Sequence, residues 1–460
     1  MKNWTLIICP VAAAILGIVL YILGFSSDIS VTAAITTWVA AWWITEPISI
    51  PATSMIPLAL FPLFGILSPD DVALAYGNKL VLLMLGGFML SAAMEKSGVH
   101  KRIALGMVNL FGSGSGRRLV FGFMTASAVL SMWISNAATT LMLLPIAMAV
   151  VSQTTNQKLQ VSLLLGIAYG ASVGGVATPI GTPPNLVFMG IYKEATGTDI
   201  GFFDWMTMAS PVVLIMLPIV GFWLTRGIRS IEPITLPSVG TWRKEEYRTL
   251  LVFGMTALFW VTRQQPFGGW VGFAEGQGIL LPYANDASIA FIGVLFMFVL
   301  PCGQGGKLLD WNAVTKIPWG VLILFAGGLC LASAFKSSGL SAVLGNSMSS
   351  LGTLPVLLSI GLICLMVTFL TEVTSNTATT TILLPILVVA AITANIEPKL
   401  FMIPATISAS FAFMLPVATP PNAIVFGSGK FSVREMAREG FILNLIGILV
   451  VTLVCYILIC

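Results

Sequence analysis

WISNAATTLMLLPI (Trp133–Ile146) and EVTSNTATTTILLPI (Glu372–Ile386) each set a cluster of small polar residues in the middle of a long apolar run. The runs cover about 118–152 and 354–394, too long for one bilayer crossing apiece. Lipid cannot satisfy free backbone N–H and C=O groups, so a polar break at bilayer depth implies backbone that lines a cavity. The shape that fits is a helical hairpin that enters halfway, turns at the polar tip and leaves on its own side. Two such hairpins decide the fold, and the rest of the chain can be placed around them.

Composition puts the chain in a membrane. Of its 460 residues, 57% are hydrophobic and 9% charged, against about 25% charged in a soluble domain. A water-soluble enzyme, a secreted disulfide scaffold and a disordered chain are excluded. The net charge of +4 comes with no basic stripe of the kind nucleic acid requires. Six cysteines, Cys9, Cys302, Cys330, Cys364, Cys455 and Cys460, contain no CxxC pair and read as thiols within apolar runs.

Outside the hairpins, apolar segments recur at 4–24, 31–47, 50–67, 79–97, 158–179, 208–226, 247–264, 286–302, 318–336, 399–416 and 440–459. The reading is therefore an all-α polytopic protein with eleven transmembrane helices and two re-entrant hairpins. The first segment lacks a cleavage site and reads as a retained helix. With the N-terminus inside, seventeen of the 22 basic residues, Arg229 among them, fall on the inner side. Only Lys79, Lys193, Arg263, Lys336 and Lys399 fall outside. This asymmetry favours that orientation and leaves the C-terminus outside.

The two halves repeat. VLLMLGGFMLSAAMEKSG from Val81 matches VLILFAGGLCLASAFKSSG from Val321, with Gly86 aligned to Gly327. The tips match at Ser135 and Ser375, and TPPN recurs at Thr182–Asn185 and Thr419–Asn422. Three landmarks in one order, at nearly one offset, make an internal repeat. Each copy holds an odd number of spans, so the second is inverted, a sign of secondary transporters. The doubled prolines of TPPN remove two donors and bar helical geometry at the preceding residue. Each helix must break there, freeing carbonyls that suit a hard cation and N–H groups that suit an anion. Asn136 and Asn376 add amides at the tips; Ser135, Ser375, Thr139, Thr377 and Thr379 add hydroxyls.

Several residues read as bystanders. The single histidine, His100, lies in an HKR run and is expected at the cytoplasmic surface. Glu46 and Glu372 are the acids near membrane depth, and neither has a charged neighbour in sequence. Glu372 is expected to bond backbone or hydroxyls and support its tip rather than carry protons. The GSGSGRR stretch (Gly112–Arg118) reads as a loop into the first hairpin. No Walker, Rossmann or HExxH motif is present, and no catalytic pair supports an enzyme.

The paired tips and the paired TPPN breaks resemble the divalent anion/sodium symporter family of sodium-coupled dicarboxylate and citrate carriers, over essentially the whole chain. The resemblance implies an inner-membrane homodimer that works as an elevator. Its scaffold would comprise 1–112 and 228–352, and its mobile transport domain 113–227 and 353–460. One sodium site would use Ser131, Ser135, Asn136 and Gly181; the second would use Thr371, Thr374, Asn376 and Ala418. Substrate carboxylates would meet Asn136, Ala137, Ser375, Asn376 and Thr377, with Pro183 and Pro420 shaping the pocket. No organic cofactor is implied. The implied cargo is a di- or tricarboxylate such as succinate, malate, fumarate or citrate, carried with sodium. The alternatives are a sodium-independent dicarboxylate exchanger on the same fold and an anion channel. Ala137 departs from the family pattern, which has threonine at that place.

Overall fold

The computed structural model describes residues 2–112, 114–228, 240–264, 268–281, 283–303, 305–347 and 354–459. Arg229, Cys460 and the expected domain boundaries near 113 and 352 lie outside them. Among the described residues all regular structure is helical, apart from one isolated bridge between Pro301 and Lys307.

The first half runs α1 (Lys2–Ile22), α2 (Ser27–Thr45), α3 (Ile50–Thr53), α4 (Ile56–Leu63), α5 (Pro69–Tyr76), α6 (Lys79–Ser97) and α7 (Val99–Phe111). The first hairpin follows as α8 (Gly116–Ser131) and α9 (Asn136–Val151). Then come α10 (Gln157–Gly175), α11 (Pro183–Thr196) and α12 (Phe202–Thr225). Local chemistry sets these ends. Ser68 and Asp71 close a capping box on α5, Asn78 caps α6, and Gly98 ends α6 at φ 76°. The second half runs α13 (Lys244–Val261), α14 (Gly269–Gly276), α15 (Asp286–Val299), α16 (Trp311–Val314), α17 (Trp319–Ser338) and α18 (Leu340–Ser347). The second hairpin is α19 (Val356–Thr371) and α20 (Asn376–Thr393), followed by α21 (Lys399–Ala409), α22 (Pro420–Phe426) and α23 (Val433–Ile459).

Both tips fall where the polar clusters lie, at 132–135 and 372–375. Elsewhere the chain departs from the expected spans. The segment 50–67 is two short helices, α3 and α4, because Pro51 and Pro57 each open a new first turn. The segment 399–416 stays helical only to Ala409, ten residues before Thr419. There the following backbone runs against α23, and a Cβ on Gly440 would collide with the Phe413 carbonyl. His100 is not a surface residue. It is 3% exposed within α7, with Nδ1 2.8 Å from the Met94 carbonyl. Burial holds its ring below the ordinary histidine range.

Among the described residues six helical stretches are long and apolar enough to cross a bilayer: 4–22, 69–97, 202–225, 319–338, 376–393 and 433–459. Shorter apolar helices include 136–151, 356–371 and 399–409, the lengths expected of arms and half-helices. Large apolar side chains on α1, α12 and α23, such as Ile7, Leu214 and Ile457, face outward. The packed interior surrounds α10, buried from Val161 to Gly175. Glycine makes that possible. A Cβ on Gly170 would lie 2.5 Å from the Met124 carbonyl, and one on Gly174 would meet the Ala128 backbone. Helix α10 therefore lies directly on α8, with Ser127 Oγ donating to the Ile167 carbonyl at 2.7 Å. The buried Tyr169 hydroxyl donates to the Phe413 carbonyl at 2.7 Å, tying α10 to the segment after α21.

Candidate functional site

The first tip is tied to the first break by small residues. Ser131 Oγ, at the end of α8, donates to Asn136 Oδ1 at 2.5 Å. Asn136 opens α9 and packs against Gly175, where a Cβ would collide with its amide oxygen. The chain then unwinds from Val176 to Thr182. Thr178 Oγ1 donates to the Met132 carbonyl, and Gly181 approaches Gly175 O and Ser131 O so closely that only glycine fits. Asn185 holds the unwound stretch in shape. Its Nδ2 lies 3.1, 3.2 and 2.7 Å from the carbonyls of Gly175, Val176 and Thr178.

The second tip uses the same construction with different residues. Thr371 Oγ1 lies 2.8 Å from both Asn376 Oδ1 and the Ala409 carbonyl. Thr374 Oγ1 donates to Leu370 O at 2.8 Å and shares a 2.5 Å hydrogen bond with Thr379. Asn422 Nδ2 holds the carbonyls of Ala412 and Leu415, each at 3.0 Å. The carbonyls held by Asn185 and Asn422 lie the same ten and seven residues upstream. In both asparagines Oδ1 is buried without a partner. Glu372 has no counterpart in the first copy, where Met132 stands. Its carboxylate accepts from Met414 N at 2.9 Å, Leu415 N at 3.0 Å and Asn444 Nδ2 at 2.7 Å. It braces the second unwound segment through backbone and an amide rather than through hydroxyls.

Both tips and both breaks open on one cavity of about 780 Å³. Its lining includes Ser135, Asn136, Ala137, Gly181, Pro183, Thr374, Ser375, Asn376, Thr377, Ala418 and Pro420. Ser131 and Thr371 sit behind it, buried, each fixing its asparagine. The far wall is Ile44–Glu46, Phe88, Pro318 and Val321. Helices α9, α11, α20 and α22 all begin at this cavity, so their N-terminal N–H groups give it a positive field. Among the described residues Glu46 is the one charged side chain on the lining, with no lysine or arginine beside it.

Glu46 sits in left-handed backbone at φ 45°, immediately before Pro47, with its N–H donating to the Trp42 carbonyl. The non-glycine side chain and the proline that follows both oppose that conformation, which makes it a strained position on the wall. The sequence marks Glu46 by its depth alone and does not place it at the site. Nor does the sequence reveal Gly175 or the staple role of Asn185 and Asn422. The TPPN motif marks those asparagines, but their bonds to carbonyls upstream depend on how the break folds back.

Gly181→Ala is expected to abolish sodium-dependent binding while leaving the protein folded in detergent. The new methyl would stand 2.9 Å from Ser131 O and closer still to Gly175 O, forcing the break away from the tip. Overpacking of this kind costs about 1–3 kcal/mol. A sodium titration of thermal stability checks it; an unchanged sodium response would show that Gly181 is not at a cation site.

The chain matches a family model described as the sodium:sulfate symporter transmembrane region over residues 1–459. It is 39% identical over 451 residues to the sodium-dependent dicarboxylate transporter SdcS of Staphylococcus saprophyticus, covering 93% of this chain and 85% of that one. It is also 39% identical over 449 residues to SdcS of Staphylococcus aureus strain RF122, covering 92% and 84%. Among solved structures it is similar in fold to the YdaH transporter of Alcanivorax borkumensis, with TM-score 0.59, 15% identity and coverage of 87% and 88%. The MtrF structure of Neisseria gonorrhoeae gives TM-score 0.57 at 15% identity, covering 85% and 83%.

Proposed function

This chain belongs to the sodium:sulfate symporter family, and from that premise we propose that it carries C4-type dicarboxylates across the inner membrane together with sodium. It is a multi-pass membrane transporter and not an enzyme. One observation carries the proposal: a cavity lined by two oxygen-rich tips and four helix N-termini holds, among the described residues, no basic side chain. A dianion there gains from the helix ends but still lacks a full positive charge. Sodium bound beside each tip supplies it. Ser131, Ser135, Asn136 and Gly181 form the first set, and Thr371, Thr374, Asn376 and Ala418 the second. These sets offer hydroxyl, amide and carbonyl oxygens, the donors a hard cation selects. Each carboxylate of the substrate then meets one tip, Asn136–Ala137 or Ser375–Asn376–Thr377.

The transport domain is 113–227 with 353–460, and the scaffold is 1–112 with 228–352. The far wall of the cavity belongs to the scaffold and the tips to the transport domain, so moving one against the other changes access. The charge pattern supports the expected topology. Asp199 binds Lys79 at 2.8 Å and Lys193 at 3.2 Å, both counted outside. Glu439 binds Lys158, Arg226 and Arg438, all counted inside. By resemblance the working unit is a homodimer.

Competition against labelled succinate uptake in proteoliposomes tests the substrate class. Excess succinate, malate or fumarate should abolish the signal and sulfate should leave it. Sulfate competing as well as succinate would overturn the dicarboxylate assignment. Ala137 refines the test. Ala137→Thr restores the hydroxyl present at Thr377 and should tighten succinate by about 0.5–1.5 kcal/mol, up to about tenfold in affinity. Thr377→Ala should loosen it by a similar factor. Unchanged affinity in both variants would show that the third tip position does not touch substrate.

A further inference from the structure

Two glycine pairs mark where the proposed domains touch. In α6, a Cβ on Gly86 would lie 2.6 Å from the Ala290 Cβ, and one on Gly87 would lie 3.3 Å from Ile180 Cγ2. In α17, a Cβ on Gly327 would lie 2.7 Å from the Ser54 carbonyl oxygen, and one on Gly328 would collide with Thr381. In each helix the first glycine thus seats a scaffold neighbour and the second seats a residue of the transport domain.

The two seats correspond, but their occupants do not. By the alignment of the TPPN motifs, Ile180 matches Val417; by the alignment of the tips, Thr381 matches Leu141. Ile180 is 7% exposed and Thr381 1%, whereas Val417 is 81% exposed and Leu141 58%. Two apolar side chains, each the equivalent of a docked residue, therefore stand undocked.

A second cavity, of about 450 Å³, lies between the scaffold and the transport domain. It is walled on the scaffold side by the N-terminal end of α6 (Lys79, Leu80, Leu83) and the turn into α15 (Tyr283–Asp286), with Arg263 beside them, and on the other side by residues 199–201 of the transport domain. The first cavity is walled by the N-terminal end of α17 and the turn between α2 and α3. These elements correspond, since α15 and the α3 turn carry Ala290 and Ser54, the partners of the first glycines.

We propose that this second cavity is the scaffold wall of the opposite-facing site, reached by an exchange of seats in which Ile180 and Thr381 undock, Leu141 docks on Gly87 and Val417 on Gly328. The inference rests on the elevator reading above. The walls differ in charge: the scaffold side of the second holds Lys79 and Arg263 with Asp286, facing Asp199 of the transport domain, and the first holds Glu46. In the present state Lys79 is tied 2.8 Å from Asp199, which travels with the transport domain, and Arg263 is tied 2.6 Å from Asp286. When the domain moves, Lys79 is released toward the incoming dianion. The second wall then attracts substrate and the first repels it, which biases release toward the side Glu46 faces.

Cysteine pairs test the exchange in proteoliposomes, with the bonds identified by peptide mass spectrometry. Ser91 and Ala332 lie one helical turn beyond Gly87 and Gly328 and serve as reporters. Ile180→Cys with Ser91→Cys, and Thr381→Cys with Ala332→Cys, report the present docking. Leu141→Cys with Ser91→Cys, and Val417→Cys with Ala332→Cys, report the exchanged one. Both sets should form during turnover, and trapping either should stop uptake. Exchanged pairs that never form while uptake proceeds would overturn the exchange and leave the elevator standing. Docked pairs that are fully bonded yet transport at full rate would instead overturn the elevator reading itself. For the charges, Lys79→Gln should raise KM several-fold for substrate presented to the second wall alone, and Glu46→Gln should lower it several-fold from the opposite side alone. Equal effects from both sides would overturn the assignment of walls.

Discussion

Asn376→Ala and Asn136→Ala are each expected to abolish uptake while leaving expression and folding intact. Each amide opens a hairpin arm at the cavity and is fixed from behind, Asn136 by Ser131 at 2.5 Å and Asn376 by Thr371 at 2.8 Å. Hydroxyls placed to hold an amide oxygen leave its nitrogen aimed at a ligand. In the proposed site each asparagine serves both a sodium ion and a carboxylate. Losing one charge-assisted hydrogen bond costs about 1.5–3 kcal/mol, roughly ten- to 150-fold in affinity, and losing a cation ligand adds to that. Succinate binding by calorimetry at saturating sodium, with a sodium titration beside it, reads both losses. Near wild-type binding in either variant would make that tip a structural turn.

Gly328→Ala should slow transport strongly without removing the binding site. The new methyl falls on Thr381 Cγ2 at the contact between α17 and α20. Overpacking there costs about 1–3 kcal/mol while Thr381 is docked; Val417, docking on the same glycine in the exchanged state, is burdened less, since its counterpart Ile180 stands 3.3 Å from a Cβ on Gly87. Populations of the two facing states would shift by roughly five- to 150-fold, so turnover falls while succinate affinity in detergent changes little. Thr381→Ser removes the colliding methyl and keeps the hydroxyl that donates to the Thr377 carbonyl at 2.7 Å. The double variant should therefore recover most of the rate. If it transports no better than Gly328→Ala alone, the clash is not the cause.

Much of this architecture can be read from the chain because its signals are local. Polar tips inside apolar runs, doubled prolines and a repeat at nearly constant offset mark the hairpins and the breaks. The sodium and substrate residues that the resemblance implies then meet around one cavity, with Ser131 and Thr371 immediately behind, while the hydroxyls of Thr139 and Thr379 are buried off its lining. What escapes the sequence depends on contacts between distant segments. Unwinding begins at Ser410, well before the prolines, because Glu372 and Asn444 bind the backbone of Phe413–Leu415 from 31 to 43 residues away. His100 sits in a basic run that looks solvated, yet the turn at Gly98 folds it back onto Met94. Asn185 and Asn422 stand out in sequence only as the last residues of TPPN, yet their amides hold the broken backbone. Glu46 reaches the cavity only because α2 ends there in a strained turn.

Coupling to sodium is the central claim, and succinate uptake into proteoliposomes tests it most directly. Labelled succinate is added outside with an inward sodium gradient, with potassium in place of sodium, and with potassium plus unlabelled succinate inside. The account predicts accumulation above the outside concentration with the sodium gradient and no uptake in potassium, whether or not succinate is present inside. Uptake in potassium that appears only when the liposomes hold succinate would contradict it and make the protein an exchanger.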